Sequence, residues 1–149
     1  MADTTKLYGI VDCARENYLY KLVQEQADSI CLFSGKVADE IRKVSPHLVR
    51  LDRRSRLRQI WQTVGWGRGW GVLFRSRLDP DELASRLRQI HIARVPSGEI
   101  VHFRFYDPRI WRTYWPSLSP DDQENWLRFI DEFIVEPKTE IALDNPPVF

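Results

Sequence analysis

Four short apolar segments in the first half of the chain restrict the fold more than any other feature. They are LYGIVD (7–12), ICLF (30–33), HLVRL (47–51) and GVLFR (71–75). Each is too short for a buried helix, and each predicts a strand. Segments with apolar residues three and four positions apart separate them, as Leu19, Leu22 and Val23 illustrate. This alternation predicts an α/β fold: a single domain with a mixed β-sheet and helices packed against it.

Helical spacing is also found over 37–44, where Val37, Ile41 and Val44 recur, and over 54–64. Three later helices are predicted to begin at a proline. The three starts are Asp79-Pro80, Asp107-Pro108 and Ser119-Pro120. In each, the side-chain oxygen of the first residue can accept a hydrogen bond from the first turn of the helix. Proline suits the first helical position because the backbone N–H that it lacks is not used there. Between the first two of these starts, segments 90–95 and 99–106 predict a β-hairpin.

The length of 149 residues suits one domain with a sizeable core. We expect that domain to occupy residues 1–136 and an extended acidic tail containing prolines to occupy 137–149. The formal net charge of +1 conceals an asymmetry, because residues 121–149 carry eight acidic and two basic side chains. A basic body with an acidic end could fold back on itself or present two faces to partners.

Targeting signals are not evident in the sequence. The first residues, MADTTK, lack the basic start and apolar run of a secretory signal, and no segment is apolar enough to span a membrane. Two cysteines, Cys13 and Cys31, form neither a disulfide framework nor a metal-site spacing. The expectation is a cytoplasmic protein without a membrane partner, metal or cofactor.

The segment GWGRGWG (65–71) is the most unusual stretch of the chain. It lacks the Lys-Ser/Thr ending of a phosphate-binding loop, and it lies between a predicted helix and a strand, the reverse of a dinucleotide-binding loop. We therefore expect a structural turn. Gly65 is predicted to end the helix with a positive φ, and Trp66 and Trp70 to pack against the sheet.

Two further kinds of chemistry stay open on sequence grounds. The segment RLDRRSRLR (50–58) holds five arginines, and arginines near tryptophans suit single-stranded nucleic acid. A near-zero net charge argues against that partner, since phosphate contacts dominate nucleic-acid affinity. Cys13 or Cys31 could also pair with His47, His91 or His102 as a nucleophile, although nothing in their spacing requires it.

The segment RFYDPRIWRTYW (104–115) combines aromatic residues and arginines on one predicted helix. Core packing explains the aromatic face, but the same composition is typical of protein-interface hot spots. Asp107 is expected to be a helix cap or a partner of Arg104 or Arg109. The candidate partner-binding residues of the chain are Arg50, Arg68, Arg109, Trp111, Arg112 and Trp115.

An ordered set of motifs carries a family resemblance: YGIVDCAR (8–15), SICLFSG (29–35), HLVRLD (47–52), GWGRGWGVLFRS (65–76) and VHFRFYDPRIWR (101–112). Together they resemble the type VI secretion effector-adaptor chaperones, the domain-of-unknown-function family 4123 of the Tap or Tec type. The match runs over roughly residues 7 to 130. The family-motif residues with a structural role are Asp12, Gly65, Trp66, Gly67, Trp70, Gly71, Arg104, Tyr106, Asp107 and Pro108.

The resemblance implies a protein that is not an enzyme and needs no cofactor. Such proteins bind a cognate toxic effector in the producing cell and help to load it onto the VgrG-type spike protein. Members often carry an additional C-terminal lobe, and here only a short acidic stretch follows the matched region. A small nucleic-acid-binding module that uses 50–58 and the tryptophans is the alternative function.

Overall fold

The computed structural model describes residues 4–33, 38–94, 100–138, 147 and 149. Five strands form one sheet in the order β2-β3-β1-β4-β7. Their bounds are β1 Lys6–Asp12, β2 Ile30–Cys31, β3 Pro46–Arg50, β4 Gly71–Ser76 and β7 Glu132–Ile134. A separate hairpin pairs β5 (Ile92–Arg94) with β6 (Ile100–His102).

Strand β1 lies at the centre of the sheet. It pairs with β3, where Gly9 is opposite Val49, and with β4, where Tyr8 is opposite Phe74. The predicted α/β class, one sheet with helices packed against it, is confirmed. Every strand pair within the described residues is antiparallel, whereas the alternation of strands and helices had suggested mixed directions.

Both faces of the sheet are covered, which explains why its strands read as nearly continuous apolar runs. Alternate residues of β1 point to opposite sides, so Leu7 and Val11 belong to one buried cluster and Tyr8 and Ile10 to another. The first cluster includes residues of helices α1 (Leu19–Gln24) and α3 (Arg56–Ile60) and the three tryptophans Trp61, Trp66 and Trp70. The second includes residues of α4 (Pro80–His91), α5 (Pro108–Ser117) and α6 (Pro120–Leu127).

Two of the three predicted proline starts have the expected cap. The Asp107 side chain accepts a hydrogen bond from the backbone N–H of Arg109 at 2.9 Å, and the Ser119 hydroxyl accepts one from Asp122 N–H at 3.1 Å. Helix α4 also begins at its proline, but Asp79 instead accepts a hydrogen bond from Nζ of Lys6 at 2.8 Å.

Several local predictions were wrong. The returning strand of the hairpin ends at His102 and not at residue 106, so Phe105 and Tyr106 lie in a turn, where both are buried. Helix α2 is short (Asp39–Arg42), and Ile41 and Val44 are 51% and 52% exposed. Their side chains therefore do not pack on the sheet as the periodicity suggested, and Val37 lies outside the described residues.

Strand β7 has no counterpart among the sequence predictions. It pairs with β4, with Phe133 opposite Phe74, and it completes one edge of the sheet. Beyond it, the described end of the chain returns to the first buried cluster, where the Phe149 ring contacts Trp66 with centroids 5.9 Å apart. The expected boundary between a domain and a tail at residue 136 stays a prediction.

Candidate functional site

The glycine loop, residues 65–71, follows a single π-turn at Trp61–Gly65 and leads into β4. Gly67 and Gly69 have φ values of 90° and 73°, a region that side chains disfavour. Gly65 has no positive φ, which corrects the sequence prediction. Position 65 requires a glycine because of the space available: a β-carbon there would lie 2.4 Å from the ring of Trp70.

The loop binds an anion, and that anion belongs to the chain itself. The two carboxylate oxygens of Glu136 accept hydrogen bonds from the backbone N–H groups of Gly67 and Gly69, each at 2.8 Å. The Arg68 amide between them donates to the backbone oxygen of Gly65, so the two glycine amides alone form this binding site for negative charge. Burial raises the pKa of Glu136, while the two amides and the nearby Arg112 and Arg15 oppose that increase.

A second carboxylate holds the loop from another side. Glu16 accepts hydrogen bonds from Nε1 of Trp70, from Nη1 of Arg68 at 3.0 Å and from the hydroxyl of Tyr18 at 2.6 Å. The predicted burial of the two loop tryptophans is confirmed, since Trp66 is 8% exposed and Trp70 fully buried. The Arg68 side chain is half exposed and paired with Glu16, and its role in binding a partner stays a prediction.

The motif RFYDPR (104–109) contacts the end of β1. Nη2 of Arg104 lies 2.6 Å from Oδ2 of the buried Asp12, and its guanidinium lies over the ring of Tyr106. Asp107 is the cap of α5 and also pairs with Arg109 at 2.8 Å. Burial would raise the pKa of Asp107, but the bonds from Arg109 outweigh it and the pKa is lowered.

The aromatic face of α5 belongs mainly to the core. Trp111 is only 4% exposed and packs against Trp115, Trp126 and Phe133, with centroids 4.6 to 5.4 Å apart. This corrects its assignment as a partner contact, because a buried ring cannot meet a partner without rearrangement. Trp115 is half-buried and keeps part of its surface at the edge of the same cluster.

Three of the candidate arginines come together. Arg68, Arg109 and Arg112 line a pocket of about 350 Å³ between the glycine loop and α5, together with Arg15 and Lys138. Arg50 lines a different pocket, of about 670 Å³, beside Arg58 and Arg75. The sequence analysis did not predict Arg15, Glu136 and Lys138 as site residues, because no short-range sequence pattern indicates that they lie near the loop.

The comparison with protein families identifies the family of the chain. A family model described as Domain of unknown function (DUF4123) matches residues 7–125. The chain belongs to the DUF4123 family. A search of the curated proteins and of the solved structures found no match. The matched region contains both the glycine loop and the RFYDPR motif, which the DUF4123 fold places on neighbouring sides of one pocket.

In this DUF4123 domain the arginine run 50–58 is not one continuous basic face. Arg56 pairs with Glu25 at 3.1 Å. Arg58 donates to the backbone oxygens of Leu51 and Phe149, at 3.2 and 2.8 Å. These bonds hold α3 against its surroundings and leave fewer arginines available for phosphate.

The DUF4123 domain brings one cysteine and one histidine together. Sγ of Cys13 lies 3.5 Å from Nδ1 of His47, and both side chains are buried. Burial raises the pKa of the Cys13 thiol to about 12 and lowers the pKa of His47. A buried thiol that stays protonated is a poor nucleophile. Among the described residues, no three His, Cys, Asp or Glu side chains could hold a metal.

The helices of this DUF4123 domain are short. None that the structure describes has both the length and the apolar character needed to cross a bilayer.

Proposed function

We propose that this DUF4123 protein is an adaptor chaperone that binds a cognate type VI secretion effector. It would act in the producing cell and help to load the effector onto the VgrG-type spike protein. Family membership over residues 7–125 carries the proposal, since the resemblance of the same region to the effector-adaptor chaperones implies this role. The alternative, a nucleic-acid-binding module, has less support because the arginines of 50–58 are partly engaged within the fold.

The surface around α5 supports a protein partner. The Arg109 side chain is 61% exposed and lines a shallow surface together with Ile110 and Tyr114, and Trp115 on the same helix is half-buried. Arginine and aromatic side chains are enriched in protein interfaces because they combine apolar area with directed hydrogen bonds. Charge on the rim selects the partner and speeds the encounter.

We propose binding rather than catalysis as the mechanism. The Cys13–His47 pair is buried, and its thiol has a raised pKa. The best-formed polar cluster, the loop with Glu136, uses its amide donors within the fold. Both arrangements favour structural roles for the residues that would otherwise be considered for chemistry.

Co-expression tests the proposal directly. The chain is produced with the effector and the VgrG-type protein encoded beside it, and with an effector from an unrelated cluster as control. We expect the neighbouring effector, but not the control, to co-elute in size-exclusion chromatography and to become more soluble. Addition of the spike protein should then give a ternary complex. Independent elution of adaptor and neighbouring effector would overturn the proposal.

A further inference from the structure

The pocket between the glycine loop and α5 is strongly cationic. Five of the side chains that line it are basic: Arg15, Arg68, Arg109, Arg112 and Lys138. One carboxylate, that of Glu136, lines it as well. Such an accumulation is electrostatically costly unless an anion occupies the site, since like charges in a concave surface repel each other.

The neighbouring acids do not neutralise this charge. Arg68 pairs with Glu16 and Arg109 with Asp107. Arg112 donates to the backbone oxygen of Glu136 at 2.7 Å, a contact that removes no charge. Even when Glu16, Asp107 and Glu136 are all counted, three carboxylates face five cations among the residues that the structure describes, an excess of two positive charges.

Arg15 and Lys138 are the cations most available to a ligand. Both are exposed, and within the described residues neither takes part in an ion pair. The Arg15 guanidinium lies against the loop. Its Nη2 would be only 3.0 Å from a β-carbon placed on Gly69. Glu136 is 4% exposed beneath the loop, so its charge does not block the mouth of the pocket.

We propose that this pocket binds a carboxylate side chain from an acidic segment of a partner protein. The inference rests on the proposed function in assuming that the partner is a protein. Guanidinium groups bind carboxylates through two parallel hydrogen bonds, so exposed arginines around a small pocket suit an aspartate or a glutamate. The carboxylate of Glu136 at the base of the pocket is held differently, by the backbone amides of Gly67 and Gly69, so the guanidinium groups are not used up by it.

The shape of the surface favours a peptide over a nucleic acid. A nucleic-acid backbone needs a basic stripe that follows many phosphates, whereas these cations surround one pocket of about 350 Å³. Arg109 also borders the shallow, more apolar surface formed by Ile110 and Tyr114. An acidic residue with apolar neighbours would use both surfaces, and free phosphate could use only the first.

The first experiment uses a short peptide of alternating glutamate and leucine, with a blocked amino terminus and a fluorescein label, and measures anisotropy with the full chain. We expect Arg15→Glu and Lys138→Glu each to weaken binding by about tenfold or more. Arg54→Glu makes the same change in net charge outside the pocket, and we expect a loss below about twofold. No binding, or equal losses for all three variants, would overturn the proposal.

A second experiment tests where the peptide binds. It uses carbodiimide coupling, which joins a carboxylate to an amine in contact with it. Mass spectrometry should find the peptide on Lys138 and much less of it on the exposed Lys43 at the end of α2. Equal labelling of the two lysines contradicts the assignment. Displacement of the peptide by inorganic phosphate or by single-stranded DNA at the peptide's own concentration would also overturn it.

The effector complex separates this inference from the proposed function. If the neighbouring effector co-elutes equally well with the Arg15→Glu and Arg54→Glu variants, the pocket inference fails and the adaptor role stands. If the peptide binds in an Arg15-dependent way but no effector co-elutes, the adaptor role fails and the pocket chemistry stands. Thermal unfolding of each variant confirms that the fold is intact.

Discussion

Arg104 and Asp12 form a salt bridge of 2.6 Å although 92 residues separate them in the chain. Asp12 ends the central strand β1 and is 3% exposed, and Arg104 begins the RFYDPR motif. Two of the motifs that carry the family resemblance, YGIVDCAR and VHFRFYDPRIWR, therefore meet in space. This contact holds the start of α5 beside the sheet, where the glycine loop also lies.

We expect Arg104→Gln to lower the free energy of unfolding by about 1–3 kcal/mol, because it leaves the buried Asp12 carboxylate short of a charged partner. Urea denaturation followed by circular dichroism measures the change. Arg77→Gln is the matched control: its side chain is 72% exposed and lies 3.8 Å from Asp131. That variant should cost less than about 0.5 kcal/mol. Equal losses of unfolding free energy in the two variants would show that the Asp12 contact stabilises the fold no more than an exposed ion pair does.

The bond between Glu136 and the glycine loop gives a second prediction. Both carboxylate oxygens accept from backbone amides, and glutamine can present only one oxygen. Glu136→Gln should therefore cost about 1–3 kcal/mol in unfolding free energy even though its size is unchanged. Glu132→Gln, at a site 60% exposed, should be nearly neutral. An unaffected Glu136→Gln protein would mean that the loop does not depend on this carboxylate.

The loop tryptophans should matter for stability far more than the loop arginine. Trp70 is fully buried against Trp61, so Trp70→Ala should cost about 3–5 kcal/mol. Arg68→Ala removes an exposed ion pair with Glu16 and should cost below about 1 kcal/mol. Differential scanning calorimetry compares the two melting temperatures. The reverse ranking would contradict the structural role of the tryptophan.

Asp107 gives a prediction for acid pH. Its pKa is lowered in the folded chain, so the stability that it contributes is present above its unfolded pKa and is lost as the pH falls through the folded value. Asp107→Asn keeps a cap oxygen but removes the charge. The difference in unfolding free energy between the two proteins should shrink as the pH falls below about 4. A constant difference over that range would be inconsistent with an ionised, Arg109-paired Asp107.

The two cysteines should differ in reactivity. Burial raises the pKa of Cys13 to about 12, whereas Cys31 is half-buried at the short strand β2. Ellman's reagent at pH 8 should label Cys31 in the folded protein and reach Cys13 only after unfolding in guanidinium. Cys31→Ser, which leaves Cys13 as the single thiol, should then react only when unfolded. Rapid labelling of Cys13 in that folded variant would restore the case for a thiol nucleophile.

Local pattern was enough to predict much of the fold. The apolar runs of β1 and β4 indicated strands, and Asp107 and Ser119 indicated helix starts, because each signal depends on residues a few positions apart. The same reasoning was wrong for Gly65, whose role is set by the Trp70 ring and not by its own φ. It also missed β7, whose three residues pair with β4 from the far end of the chain.

The sequence by itself determined the class of fold, the burial of Trp66 and Trp70 and the motifs of the family resemblance. Only the tertiary structure decided that Glu136 fills the glycine loop and that Arg15, Arg109 and Lys138 surround one pocket. The physical reason is the range of the interactions. Periodicity and capping act over a few residues, whereas a carboxylate bound to amides more than 60 positions away depends on the path of the whole chain.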